Sequence, residues 1–323
     1  MRAICIRETG GPEKLKLEDW PASAPAEGQV ALRVAAIGIN FVDIYNRTGL
    51  YARPLPFIAG AECAGVITAV GKGVVDLSVG DRVATAQALG AYAEHTLAAA
   101  AHVVRLPEFI SFEQATALTL QGCTAHYLAC DTFPLKPGDV ALVHAAAGGV
   151  GLLLTQIARH RGARVIAVVS SAKKEPMARQ AGADEVIVSG AEDFSEAAKR
   201  ATHGRGVDVV YDSVGQSTFE GSVGCLRPRG MFVSYGNSSG PAPQIAPLML
   251  MQRGSLFFTR PTLAHYTATQ VELQARADDL FAWTRAGWLH THIGGVFPLE
   301  EAARAHEALE SRATSGKLLL VPR

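Results

Sequence analysis

The chain has 323 residues, of which 48% are hydrophobic and 19% charged, and its 30 Lys+Arg balance 30 Asp+Glu to a formal charge of zero. That length suits roughly two domains with a sizeable core, which excludes a disordered chain and a disulfide-stapled miniprotein. The balanced charge leaves no electrostatic footprint for nucleic acid.

Taken from the start, residues 1–120 read as short strands broken by Gly and Pro: RAICIRE (2–8), QVALRVAAIGIN (29–40), ECAGVITAVG (62–71), DRVATAQ (81–87), YAEHTLAA (92–99) and HVVRLP (102–107). Alternating polarity and regular turn spacing predict an all-β, barrel-like unit. No stretch of about 18 uncharged apolar residues is present to cross a membrane. Arg2, Arg7 and Glu8 stand where a secretion signal would be apolar, so the expected location is the cytoplasm. The pattern changes near Phe112, where Ser111 is a candidate N-cap and apolar residues recur at helical spacing up to Cys130.

From Lys136 onward strands and helices alternate. The strands are DVALVHA (139–145), ARVIAVVS (163–170), DEVIVS (184–189), VDVVYDSVG (207–215), GMFVSYG (230–236) and SLFFTR (255–260). Short runs of Val, Ile and Leu, most of them followed by helical patterns, are what parallel strands buried on both faces require. A doubly wound α/β domain is therefore expected over 123–264. Beyond it come an amphipathic helix near Thr269–Ala286, a strand at 294–299, a helix at 300–313 and a last strand at 316–322. Residues 1–122 and 265–323 are expected to form one β-rich domain into which the α/β unit is inserted.

The sharpest motif is VALVHAAAGGVGLLLTQIAR (140–159), in which a strand ends at His144 and a small-residue turn opens a helix. Ala146, Gly148 and Gly151 occupy the three glycine positions of GxGxxG, followed in sequence by a second strand. Gly148 lets the backbone approach a pyrophosphate, Gly151 lets the helix pack on the strand, and the helix N-terminus supplies unpaired N–H groups. A dinucleotide site follows. Its nucleotide preference is legible one strand later. An NAD-type unit carries an acidic residue about 20 positions on, but here the sequence is SSAKKE, with Ser170, Ser171, Lys173 and Lys174. Hydroxyls and lysines in place of a carboxylate favour a 2′-phosphate, so the expected cofactor is NADPH.

Several further segments, GGPEKL, AIGINFVDIYNRTGLY, GDRVATAQALGAY, HAAAGGVG, VVYDSVG, YGNSSG, TRP and ESRATSGK, together resemble the zinc-independent NADPH:quinone oxidoreductases. This ζ-crystallin-like family belongs to the medium-chain dehydrogenase/reductase superfamily, and the resemblance runs along essentially the whole chain. It implies a GroES-like β-barrel catalytic domain with an inserted Rossmann domain of doubly wound parallel sheet. Asn40 and Tyr45 match family residues lining the nicotinamide end, with Tyr45 a candidate donor to a reduced carbonyl. Cofactor contacts implied in the same way are Thr124, Tyr127, Gly149, Val150, Ser170, Ser171, Lys174, Ser213, Tyr235, Gly236, Asn237, Ser238, Arg260 and Arg312. Where close relatives carry a tyrosine after the third Rossmann strand this chain has Ser189, which implies a less steep NADPH preference.

The zinc alcohol dehydrogenases of the same superfamily place a ligand Cys two residues after a Gly and a ligand His just before a Glu. Here those stretches read Gly38-Ile39-Asn40 and Gly60-Ala61-Glu62, without either ligand. Cys5, Cys63, Cys123, Cys130 and Cys225 are scattered and never in CxxC spacing, so the expectation is no metal and five buried reduced thiols. His290 and His292 read as surface polar residues.

A hydride donor facing few acid/base groups suits a quinone, already a strong electrophile. The expected activity is reduction of planar ortho- or para-quinones by hydride or net one-electron transfer. Reduction of an enal or enone double bond is the alternative within catalysis, and a non-enzymatic NADPH-binding role, crystallin-like or RNA-binding, the alternative outside it. The resemblance also implies a homodimer, consistent with SLFFT as a phenylalanine-rich sheet edge. No nucleic-acid or membrane partner is expected.

Overall fold

The computed structural model describes residues 1–322. In chain order the strands are β1 (Arg2–Ile6), β2 (Lys16–Asp19), β3 (Gln29–Ile39), β4 (Phe57–Ile58), β5 (Glu62–Val70), β6 (Arg82–Thr85), β7 (His95–Ala99), β8 (Val104–Arg105), β9 (Val140–His144), β10 (Arg164–Val169), β11 (Glu185–Val188), β12 (Val207–Asp212), β13 (Leu226–Ser234), β14 (Phe257–Thr259), β15 (Ile293–Pro298) and β16 (Lys317–Val321). The helices that matter below are α1 (Phe41–Thr48), α2 (Phe112–Ala117), α3 (Cys123–Tyr127), α4 (Gly149–His160), α5 (Glu175–Gln180), α6 (Phe194–Ala201), α7 (Phe219–Gly224), α8 (Pro247–Gln252), α9 (Leu263–Tyr266), α10 (Gln270–Arg285) and α11 (Ala302–Glu310). Two compact units result, one of 1–123, 267–287 and 291–323, the other of 124–266 and 288–290.

In the first unit β3 is the organising strand. It pairs antiparallel with β5, with β7 through its first half and with β16 through its last three residues, inside a seven-stranded sheet ordered β15-β16-β3-β5-β6-β8 with β7 beside β3. A separate three-stranded sheet runs β2-β1-β4. Alternation along β3 puts Val30, Leu32 and Val34 inside and leaves Arg33 exposed. One core cluster of this unit packs Ile37, Ile39, Tyr92, Leu299, Leu318 and Leu320 together.

Helix α1 is the element that the sequence pattern concealed. Its eight residues, FVDIYNRT, are aromatic and β-branched enough to continue the preceding strand. What turns them helical is local: Asp43 Oδ2 accepts the Asn40 N–H, the Asn40 carbonyl accepts the Asp43 N–H, and Gly49 closes the end at φ 83°. The helix expected from Ser111 does start there, through a capping box with Gln114, but two π-helical turns, at Leu118–Gly122 and Leu128–Thr132, interrupt it.

The second unit is a six-stranded, all-parallel sheet ordered β11-β10-β9-β12-β13-β14. Strands β9 and β12 are buried at every residue, as a sheet covered on both faces demands. Leaving β9, the chain first builds outward through β10 and β11, then returns to the other side of β9. The reversal makes the β9/β12 boundary a topological switch point, where open parallel sheets bind ligands beyond the carboxyl ends of their strands.

Four cysteines are buried as expected, but Cys130 is only half-buried, in the last π turn beside Arg161. His290 and His292 are exposed. Among the described residues no three His, Cys, Asp or Glu side chains converge to hold a metal ion, and no helix is long and apolar enough to cross a membrane.

Candidate functional site

In the parallel-sheet unit the sequence-predicted residues gather at one edge, because each follows the carboxyl end of a parallel strand. The glycine turn follows β9, Ser170 to Lys174 follow β10, Ser213 follows β12, Tyr235 to Ser238 follow β13, and Arg260 follows β14. The turn itself is tight. Ala145 takes φ 49°, Gly148 N–H bonds to the Ala145 carbonyl at 2.8 Å, and Gly148 is the N-cap of α4. A methyl group on Gly151 would lie 2.7 Å from Ala146 Cα, so only glycine lets α4 approach the end of β9 this closely. On Gly148 it would meet only the Ala145 carbonyl, at 3.1 Å, which leaves the helix N-terminus unshielded. These features fit a pyrophosphate group.

After β10, the Ser171 carbonyl accepts the Lys174 N–H at the start of a short 3-10 turn, and the two lysines part company. Lys173 is exposed, whereas Lys174 is half-buried and its ammonium is lowered below the usual lysine range by desolvation.

Asp212, at the end of β12, was not singled out by sequence reading. Its fully buried carboxylate accepts N–H bonds from Val214 at 2.7 Å and Gly215 at 2.9 Å, and hydroxyl bonds from Thr218 and Ser222. Ser222 also contacts His144 Nε2 at 2.8 Å, and burial lowers the His144 imidazole below its usual range. This cluster fixes the loop carrying Ser213, against which the Tyr235–Ser238 turn closes: Tyr235 N–H donates to the Asp212 carbonyl, Ser238 N–H to that of Ser213, and a Cβ on Gly236 would lie 2.6 Å from the same Ser213 oxygen. Tyr127 is buried and stacks on Tyr266 at 4.2 Å with an 8° interplanar angle, while Thr124 is buried one helical turn away. Arg260 is exposed, its Nη1 donating to the Pro261 carbonyl.

The other unit holds Asn40, Tyr45 and Arg312. Arg312 lies in the exposed turn after α11 with φ 56°. Tyr45 is buried on α1, its ring edge-on to Tyr51 at 5.1 Å. Asn40 is buried and saturated: its Oδ1 accepts from Lys317 Nζ at 2.8 Å and Gln121 Nε2 at 3.3 Å, and its Nδ2 donates to Glu62 Oε2 at 2.9 Å and the Gly38 carbonyl at 3.3 Å. Sheet register explains the convergence. Gly38 of β3 lies opposite Glu62 of β5 and Leu319 of β16, so the start of each flanking strand delivers its charged residue to the end of β3.

A second arm extends from Asp43. Its Oδ2 accepts the Asn40 N–H at 2.9 Å and the Tyr92 hydroxyl at 3.1 Å, Tyr92 meets His306 Nε2 at 3.0 Å, and His306 Nδ1 meets Arg47, which is held by Glu310. Burial, opposed by these hydrogen bonds and by Lys317, pushes the Asp43 carboxyl up to about 7. Burial, aided by the Arg47 charge, pushes His306 down to about 3. Neutral His306 accepts from Arg47 at Nδ1, which makes Nε2 the donor to Tyr92 and directs the Tyr92 proton onto Asp43. Two atoms of this network, Asp43 Oδ1 and Gln121 Oε1, are buried with no hydrogen-bond partner among the described residues. Beyond Asn40, none of its members was recognisable as a site residue from sequence. The available signal for Lys317 was a lone charge abutting the apolar run LLLV.

Comparison with known proteins places these two units. Residues 26–108 match the alcohol dehydrogenase GroES-like domain and residues 149–281 the zinc-binding dehydrogenase family. A quinone oxidoreductase of Pseudomonas aeruginosa is 46% identical over 97% of both chains. A 2-haloacrylate reductase of Burkholderia is 43% identical over 99% of this chain and 98% of its own. The crystal structure of Escherichia coli quinone oxidoreductase complexed with NADPH superposes with a TM-score of 0.98 at 45% identity, covering all of both chains.

Proposed function

The chain belongs to the quinone oxidoreductase family of the medium-chain dehydrogenase/reductase superfamily, and we propose that it is an NADPH-dependent reductase of planar quinones. The observation that carries this reading is full-length likeness to the NADPH complex of the E. coli quinone oxidoreductase, together with an intact glycine turn and a half-buried Lys174 beside it.

NADPH, when bound, supplies a hydride. In this reading the N-terminus of α4 holds the pyrophosphate through the N–H groups after Gly148, and Lys174 with Ser170 and Ser171 holds the 2′-phosphate. Ser213, Tyr235 to Ser238 and Arg260 border the cofactor along the same strand-end edge, with Thr124 and Tyr127 from α3. The hydroxyl of Tyr45 donates a hydrogen bond or a proton to the oxygen of the reduced acceptor. Asn40 contributes through its place at the N-cap of α1 rather than as a free amide. A quinone needs little beyond this, since its electrophilicity is its own, and no metal enters the reading. Strand β14 ends the parallel sheet with Phe257 exposed, which supports pairing of two copies along that edge.

Reduction of an activated carbon–carbon double bond is the second reading, favoured by the 2-haloacrylate reductase relative. The test is NADPH oxidation by the metal-stripped protein with ortho- and para-quinones beside haloacrylates and enones, and with NADH as control. Quinone turnover is expected. Turnover restricted to the alkenes transfers the assignment to double-bond reduction, and a requirement for zinc overturns the metal-free reading.

A further inference from the structure

Lys317 and Glu62 form an ion pair in which both side chains are at most 1% exposed. Burying such a pair costs several kcal/mol per ion and is a weak source of stability, because apolar residues of similar volume commonly serve a fold as well or better. The surroundings are built around the pair nonetheless. Glu62 Oε1 accepts the backbone N–H of Leu120 at 2.6 Å, from the π-helical turn after α2, and Oε2 faces both Lys317 and Asn40. A methyl group at Gly38 would fall on the Glu62 carboxylate and 2.7 Å from Lys317 Nζ, so the glycine opposite keeps the space that the pair occupies.

Beyond the Leu120 N–H, both members of the pair act on Asn40. Lys317 presents a donor to Asn40 Oδ1 and Glu62 an acceptor to Asn40 Nδ2, so the Asn40 amide has one orientation and cannot flip without placing like against like. Asn40 is the N-cap of α1, the helix that carries Tyr45, and its Oδ1 is also the anchor of the Gln121 amide.

We infer that Lys317 and Glu62 are positioning residues for turnover: through Asn40 they lock the start of α1, and with it Tyr45 and Gln121, in the geometry that the reacting acceptor requires. This rests on the reductase reading above. The fixed Gln121 amide leaves its Oε1 buried and unpartnered among the described residues, an acceptor directed by the same lock.

The test compares Lys317→Met, Glu62→Gln and the double variant Glu62→Leu/Lys317→Met. For each, kcat and KM are measured with NADPH and a quinone, the NADPH dissociation constant by fluorescence titration, and folding by thermal melting. The single variants are expected to lose about tenfold to a hundredfold in kcat, the scale set by small misplacements near reacting groups, with the NADPH dissociation constant changed less than about threefold. The double variant, which leaves no unpaired charge, is expected to melt higher than either single variant while remaining slow. Recovery of turnover together with stability overturns the inference. So does a double variant that unfolds like the singles, which would make the pair a requirement of the fold. An unmodified protein that fails to oxidise NADPH with any of the quinones or alkenes overturns the reductase reading itself, whereas normal turnover in folded single variants overturns only the positioning role.

Discussion

The candidate site residues of the two units are held in different ways. The parallel-sheet unit works by omission: Gly148, Gly151 and Gly236 leave out side chains so that backbone can approach backbone or leave a helix end open. The other unit works by insertion, packing Lys317, Glu62, Asp43, Arg47 and His306 into places nearly closed to solvent. An omission of this sort tolerates nothing added, so its variants act by steric overlap on affinity and stability. An inserted charge network tolerates only balanced changes, so its variants act through partners left behind.

The sharpest way to break the first half of the comparison is Gly151→Ala. The added methyl meets Ala146 at 2.7 Å and the Ala145 carbonyl closer still, with backbone on both sides. Overpacking of this kind costs about 1–3 kcal/mol. Thermal melting is expected to fall by several degrees and NADPH affinity by at least about tenfold, read by differential scanning calorimetry and fluorescence titration.

Next in size is Tyr45→Phe, which removes the hydroxyl assigned to the acceptor in the proposed function and leaves the ring packing on Tyr51. Turnover is expected to drop at least about tenfold with the NADPH dissociation constant unchanged. A rate close to that of the unmodified enzyme reduces Tyr45 to packing.

Lys174→Ala tests nucleotide choice. Loss of one charged hydrogen bond to a phosphate is expected to raise KM for NADPH by about tenfold while KM for NADH moves less than about twofold. Equal changes in both contradict the phosphate assignment.

The smallest expected effect sharpens the second half. Burial raises the Asp43 carboxyl from 3.8 to about 7, so the folded protein holds a proton there that the unfolded chain has released. Asp43 alone therefore withdraws stability as pH rises from about 4 to about 7. His306, lowered from 6.5 to about 3, works in the other direction, its contribution being complete above about 6.5 and lost as pH falls toward 3. Asp43→Asn keeps an acceptor for the Asn40 N–H and the Tyr92 hydroxyl and removes only the first slope. Its melting temperature relative to the unmodified protein is expected to rise by a few degrees between pH 5 and pH 8; a constant offset contradicts the raised carboxyl.

The same contrast explains what the sequence made legible. The glycine turn, its strand and its helix occupy consecutive residues, so Gly148, Gly151 and Lys174 were recognisable from local spacing alone, and the fold of the parallel-sheet unit came with them. Asn40 and Lys317 are 277 positions apart, and only the antiparallel register of β16 on β3 makes them neighbours. Nothing in the immediate surroundings of Glu62, Tyr92 or His306 distinguishes a network member from a solvated side chain. Helix α1 was hidden for a related reason: its composition favours a strand, and a two-residue cap decides otherwise. Asn40 was matched by resemblance to residues lining the nicotinamide end, and that its amide is committed to four protein groups could be read only from the fold.

The most direct test of this division of labour is a paired measurement on Lys174→Ala and Tyr45→Phe, with the NADPH dissociation constant and kcat at saturating NADPH determined for both. Lys174→Ala is expected to move only the dissociation constant and Tyr45→Phe only kcat. Two variants that each move both quantities to a similar extent would contradict the separation of cofactor holding from acceptor chemistry on which the account depends.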